Sequence, residues 1–309
     1  MLDITLLIAP IFLIILLGAF LRRFLINDDD VWHQINKLAY WVLFPCLLFN
    51  KTSVIDFTGV AFGPLTITVL VGFSAAVLFS FIFAKIFGLT PATITSVMQG
   101  GGRHNAFLAL AVASQVFGEE GAMIAAIIIA VLVTFTNLVI NISMTVILSN
   151  NGVRFDGVIA DLKRNPLIFA ILLGAAFNVA GLGHLPIVYP FTLSVGETTL
   201  TIALLCVGAG LRVRGVGDKI IPCLIALVAK FIVFPVVVYL CAKYFSLPHV
   251  MLMIVMIFAV SPTGAASYPL AKQMGGDAPL MATLISLQTL ISIITIPLII
   301  YILNQGVIF

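Results

Sequence analysis

The chain is 309 residues long, 62% of them apolar and only 9% charged, with a mean hydropathy of +1.24. A soluble domain carries about a quarter charged residues, so this composition excludes one and indicates a multi-pass protein of the lipid bilayer. The formal charge of +3 provides no basic field that would draw nucleic acid. Cys46, Cys206, Cys223 and Cys241 lie in apolar runs without CxxC spacing, so they are expected in the core, neither bridged nor holding a metal.

The first apolar run, 3–21, has Asp3 before it and Arg22 and Arg23 after it. A signal peptide has the opposite charge order, so this run is expected to stay as a span. Breaking the apolar runs at charge, Pro and Gly clusters predicts ten spans, near 3–21, 34–50, 61–84, 92–117, 121–148, 166–182, 188–210, 220–244, 249–274 and 278–303. Between them, Arg22, Arg23, Lys85, Arg154, Lys163, Arg164, Arg212, Arg214, Lys219 and Lys272 collect on one face, against Lys51 and Lys243 on the other; Lys37, Arg103 and Lys230 fall inside spans. Positive loops face the cytoplasm, so both termini are expected outside it, in an inner (cytoplasmic) membrane.

The fourth span contains the stretch least suited to lipid, QGGGRHNAF at 99–107. Consecutive glycines weaken a helix, and a charge at that depth is costly unless paired or hydrated. An interrupted helix lining a polar cavity meets both demands. Close helix packing is the plainer use of Gly100, Gly101 and Gly102. No Lys-Ser/Thr pair follows them, so a phosphate loop is not indicated.

Shifting the sequence by 158 residues lays AKIFGL (84–89) on AKYFSL (242–247) and gives ten identities over forty positions. Five spans separate the copies, so they are expected to be inverted. Arg103-His104-Asn105 then maps onto Ser261-Pro262-Thr263, within SPTGAASYP, where Pro262, Gly264 and Pro269 cannot sustain a regular helix. Inverted repeats with broken helices at matching positions are the pattern of secondary transporters.

Four passages resemble the auxin efflux carrier family, which includes plant PIN proteins and bacterial malonate/malate-type carriers: INKLAYWVLFPCLLFN (35–50), RHNAFLALAVASQVFG (103–118), LLCVGAGL (204–211) and SPTGAASYPLAKQMGGD (261–277). The resemblance implies an all-α protein of ten transmembrane helices in two inverted five-helix repeats, with helices 4 and 9 broken and crossing. Helices 1–2 (1–58) and 6–7 (149–215, with a cytoplasmic loop) would form a scaffold. Helices 3–5 (59–148) and 8–10 (216–309) would form a moving unit, and Asn105 and Pro262 would sit at the crossing beside the substrate. A proline expected after the first crossing is replaced by Ala111, which leaves the break to Gly100–Gly102.

Such a crossing would point half-helix N-termini and their free N–H groups inward, an anion site. Arg103 would add a fork for a carboxylate, His104 and Asn105 further donors, and Ser261, Thr263 and Ser267 hydroxyls. Arg103 could instead pair with helix carbonyls, and the His104 ring could simply face a neighbour. Lys230, deep in the eighth span, needs a partner: a half-helix C-terminus, the place of a bound cation, or Glu197. Glu197 itself is either an interfacial group or a coupling site.

The reading is a secondary carrier, active or facilitative, for a small organic anion, working by elevator-like alternating access. It needs no cofactor, is no enzyme, leaves proton or sodium coupling open, and could pair as a homodimer. A cation-coupled symporter of related fold is the alternative, and a membrane sensor that binds the anion without moving it is another. An intramembrane enzyme lacks HExxH or GxSxG spacing.

Overall fold

A computed structural model describes residues 2–54, 61–148, 165–212 and 217–305. Arg154, Lys163, Arg164 and Arg214, used above for orientation, lie outside the described residues, as do the predicted junctions near 58, 149 and 215. Among the described residues all regular structure is helical. Six stretches are long and apolar enough to cross a membrane: Leu2–Phe24, Phe62–Ile86, Pro91–Leu148, Val188–Ala209, Ile220–Tyr244 and Ala278–Asn304. Leu13, Leu78, Leu240 and Ile294 are exposed on them, an outer surface that suits lipid rather than water.

Helix α1 is Leu2–Phe24, and α2 runs over 29–53. α3 is Phe62–Ile86 and α4 Pro91–Gly102. The run Ala106–Leu148 is divided by Gly118, at φ 60° and ψ −140°, into α5 (106–117) and α6 (119–148). Then come α7 (Pro166–Val179), α8 (Val188–Ala209), α9 (Ile220–Tyr244), α10 (His249–Val260), α11 (Ser267–Met274) and α12 (Ala278–Asn304).

Local chemistry sets these limits. Thr90 caps α4 from Thr93 N, Asn165 caps α7 from Leu167 N and Asp277 caps α12 from Leu280 N, and each of these helices has a proline in its first turn. Within α2 and α9 the backbone widens to a π-helical turn, Ala39–Leu43 and Ala229–Val233, just before Pro45 and Pro235. A proline lacks the N–H that would bond four residues back, and the wider turn absorbs that loss without ending the helix.

Residues 62, 86, 91 and 102 bound α3 and α4, and adding 158 to each gives 220, 244, 249 and 260, the bounds of α9 and α10. The helices pack in two groups. α1 lies along α8, and α2 along α7 and α8, while α3, α4, α9, α10 and α12 pack on one another.

Ion pairs pin the helix ends. Asp29 accepts from Arg22 at 2.7 Å and from Arg212 at 2.5 Å; the Arg212 and then the Arg22 hydrogen bond hold its carboxyl below the usual range. Lys219 reaches Asp277 at 2.8 Å, and Lys51 reaches Glu119 at 2.5 Å. Cys206 and Cys223 are buried, Cys46 and Cys241 half-buried, and all four are free thiols.

The glycine triplet departs from expectation. Gly100–Gly102 form the last turn of α4 and are helical; the break begins only at Arg103. Their role is contact. A Cβ on Gly101 would stand 2.1 Å from Ser80 Oγ and 2.8 Å from Ala229 Cβ, and one on Gly102 would stand 2.4 Å from Val77 Cγ2. Gly101→Val is therefore expected to cost at least ~1–3 kcal/mol of overpacking and to lower the melting temperature of the purified protein. Gly63→Ala, where a Cβ meets nothing within 4 Å, is the neutral control.

Candidate functional site

The two interruptions meet. α4 ends at Gly102, where Arg103 turns to extended backbone (φ −66°, ψ 153°), and α10 ends at Val260, where Ser261 does the same (φ −70°, ψ 142°). Thr263 Oγ1 donates to Gly100 O at 3.0 Å. The Thr263 N–H donates to Gln288 Oε1 at 2.8 Å, and Gln288 Nε2 donates to the same Gly100 O at 2.8 Å. Gly264 lies so close that a Cβ there would stand 2.8 Å from His104 O. Carbonyls left without partners where α4 stops are thus satisfied by the second break and by α12.

Lys230 completes this set. It is wholly buried; its Nζ donates to Arg103 O at 2.9 Å and lies 4.7 Å from the centre of the Phe234 ring. A cation is favoured at a helix C-terminus. Of the three roles open to Lys230 from the sequence, pairing with Glu197 is excluded, because Glu197 is exposed on α8.

Beside the crossing is a cavity of about 630 Å³ between α2, the two breaks, α6 and the start of α7. Among the described residues its polar lining is Asn36, Tyr40, Arg103, His104, Asn105, Thr136, Asn137, Asn141, Asn165 and Gln273, with no acidic residue. Arg103 Nη2 donates to Asn137 Oδ1 at 2.9 Å. Arg103 Nη1, both ring nitrogens of His104, Thr136 Oγ1 and Asn141 Oδ1 are buried and find no partner among the described residues. Buried polar groups are nearly always bonded. Arg103 on this lining, its guanidinium bonded among the described residues to the neutral Asn137 amide, makes a surface that suits a polar, negatively charged guest.

The predicted site residues divide. Arg103, His104 and Asn105 line the cavity; Ser261, Pro262, Thr263 and Ser267 do not, and the second break contributes Gly264, Ala265 and Ala266 in their place. The hydroxyls of Ser261 and Thr263 are spent on the carbonyls of Phe258 and Gly100, and Ser267 Oγ is buried without a partner. Asn105 caps α5, its Oδ1 accepting from Phe107 N and Leu108 N, both at 3.1 Å. The expected anion site of free helix N–H groups at α5 is therefore closed, because Asn105 already occupies those donors. The His104 ring faces Phe258 at 5.7 Å.

Sequence reasoning missed Thr136, Asn137 and Asn141. Their signal was a pair of amides four residues apart, Asn137 and Asn141, within the mostly apolar α6, the spacing that puts two side chains on one helix face, with Thr136 beside them.

Comparison with known families matches one part of this chain. Residues 197–308 match the family model of the Sodium Bile acid symporter family. The symporter match covers a little over a third of the chain, from α8 to α12, and includes Lys230, the second break and Gln288. It is a match to a family of transporters, not of enzymes. No curated protein matches the chain.

The symporter match overturns the resemblance to the auxin efflux carrier family. The passage that carried most of that resemblance, SPTGAASYPLAKQMGGD, lies wholly inside the matched residues. Its composition answers a geometric need: Gly264 must lie flat against His104 O, and Gly275 must adopt φ 81° to end α11. Two different families can meet such needs with similar residues.

Proposed function

We propose that the protein is a symporter-type secondary transporter whose substrate is an organic anion held in the Arg103 cavity. The observation that carries this is the polar lining of the cavity, which includes Arg103 and, among the described residues, no carboxylate. The volume lies in the ~300–1,000 Å³ range of small-molecule sites. The bile acid in the matched family's name is itself an organic carboxylate, the class that an arginine fork suits.

In this reading the 158-residue register of α3–α4 and α9–α10 reflects an inverted repeat, with ten spans in all. The crossing unit of α3–α6 and α9–α12 moves against α1, α2, α7 and α8 to give alternating access. Asn36, Asn165 and Gln273 stand toward the ends of their helices that share a face with Arg22, Arg212, Lys219 and Lys272. By the positive-inside rule that face is cytoplasmic, so the cavity faces inward, with both termini on the far side of an inner membrane.

The test is flux. Purified protein in sealed proteoliposomes, offered labelled succinate, benzoate or cholate, is expected to accumulate at least one of them in the lumen with saturation. Saturable binding without accumulation would make the protein a receptor, and no saturable binding of any anion would sink the substrate class.

A further inference from the structure

We propose that the groove between α3 and α6 holds one acyl chain of a bilayer phospholipid, and that Lys85 at its end holds that lipid's anionic headgroup. The groove has a volume of about 360 Å³. Ser74, Val77, Leu78 and Phe81 line it from α3, at i, i+3, i+4 and i+7, which is one helix face. Val139, Ser143 and Val146 repeat that spacing on α6, and the buried Met98 of α4 closes the base.

Depth and charge identify the occupant. Leu78 and Val146 are 58% and 55% exposed in the interior of apolar spans, so the groove opens on the bilayer and is filled from it. Lys85 is the next residue of the α3 stripe, four past Phe81, in the last turn of the helix. At ~1.5 Å per residue the groove therefore runs from about 6 Å beneath Lys85, at Phe81, to about 16 Å beneath it, at Ser74. One leaflet supplies half of a ~30 Å hydrocarbon core, so a chain hanging from a phosphate at Lys85 reaches the groove's far end. Among the described residues Lys85 has no acidic partner; its Nζ lies 5.9 Å from the centre of the Phe81 ring, the same ring that walls the groove.

The groove also touches the packing that holds the first break. Val77 lies on the groove and against Gly102, where a Cβ would stand 2.4 Å from its Cγ2, and Met98 precedes the glycine triplet directly. A chain seated there backs the wall on which α4 rests. The lipid site does not depend on the carrier reading above and is read by binding and stability without any transport.

The experiment titrates delipidated, detergent-purified protein with dioleoyl phosphatidylglycerol and, separately, dioleoyl phosphatidylcholine, following the melting temperature and the bound lipid by native mass spectrometry. The parent is expected to retain one phosphatidylglycerol and to melt several degrees higher with it than with phosphatidylcholine. Lys85→Gln, at an exposed position, should bind phosphatidylglycerol roughly fivefold more weakly, at about 1 kcal/mol for one lysine near an anionic headgroup. Ser143→Phe, which fills the groove, should lose the stabilisation by both lipids. Lys243→Gln is the control: Lys243 makes the same kind of ring contact, 5.7 Å from Tyr239, on α9 and away from the groove, and its loss should leave phosphatidylglycerol binding unchanged. Equal effects of the two lipids on the parent overturn the assignment, as does a Lys243→Gln loss as large as that of Lys85→Gln, which would be general surface charge. Ser143→Phe with the parent's stabilisation also overturns it. So does a stronger effect of lauric acid than of phosphatidylglycerol, which would make the occupant a free fatty acid, or a dimer that Ser143→Phe dissociates, which would make it a second copy of the chain.

Discussion

Arg103→Gln is expected to abolish the stabilisation that succinate, benzoate or cholate confers on the parent, while leaving its melting temperature without anion nearly unchanged. The two effects separate because the residue acts through two different groups. Its backbone oxygen holds Lys230 and Thr263 at the crossing, and any side chain keeps that oxygen. Its guanidinium faces the cavity, bonded only to Asn137 Oδ1, with Nη1 unpartnered. Removing one member of a buried charge pair costs ~2–5 kcal/mol, or roughly 30- to several-thousand-fold in affinity at ~1.4 kcal/mol per tenfold. Arg103→Lys retains charge but loses the planar fork and is expected to fall between the two. Measured by thermal shift against anion concentration, equal affinities for parent and Arg103→Gln would remove Arg103 from the site.

Much of the fold was legible because its punctuation is chemical and local. Thr90-Pro91 and Asn165-Pro166 start helices as a capping side chain followed by proline should. The break at SPTGAASYP follows from residues that cannot continue a helix. The glycine triplet misled for a physical reason: glycine permits both a break and a close approach, and only the neighbours decide. Here Ser80, Ala229 and Val77 crowd all but the first of these glycines, and Leu284 crowds that one, so packing won and the chain turns one residue later. The π-helical turns were not legible, since Pro45 and Pro235 announce a disturbance without saying whether the helix kinks or widens.

The site was less legible than the fold. Arg103, His104 and Asn105 stood out because polar residues in an apolar span are costly, but their duties depend on partners far away in sequence. Asn105 is used up in capping its own helix, and Thr263 in bonding across the crossing. The cavity's other wall comes from Asn137 and Asn141, and no local pattern connects Asn137 to the Arg103 guanidinium that it bonds. The family resemblance failed similarly, because a passage shaped by one tight contact, Gly264 on His104, says more about that contact than about ancestry.

Gln288→Leu is expected to loosen the crossing itself. The amide is fully buried and bridges the two broken helices, accepting from Thr263 N and donating to Gly100 O. Leucine has similar bulk and no polar atom, so the substitution leaves packing nearly intact while stranding the Thr263 N–H. Gly100 O still accepts from Thr263 Oγ1, so only one group is orphaned. An unsatisfied buried donor costs ~1–3 kcal/mol, which in a chain of this size lowers the melting temperature by about 2–10 °C. Gln288→Glu keeps the acceptor for Thr263 but, when ionised, sets an oxygen against Gly100 O, and is expected to be worse. Thr289→Val is the control, because the Thr289 hydroxyl bonds only within its own helix, to Ile285 O. If Gln288→Leu melts no lower than that control, the bridge contributes nothing and the contact between the breaks rests on Thr263 and Lys230 alone.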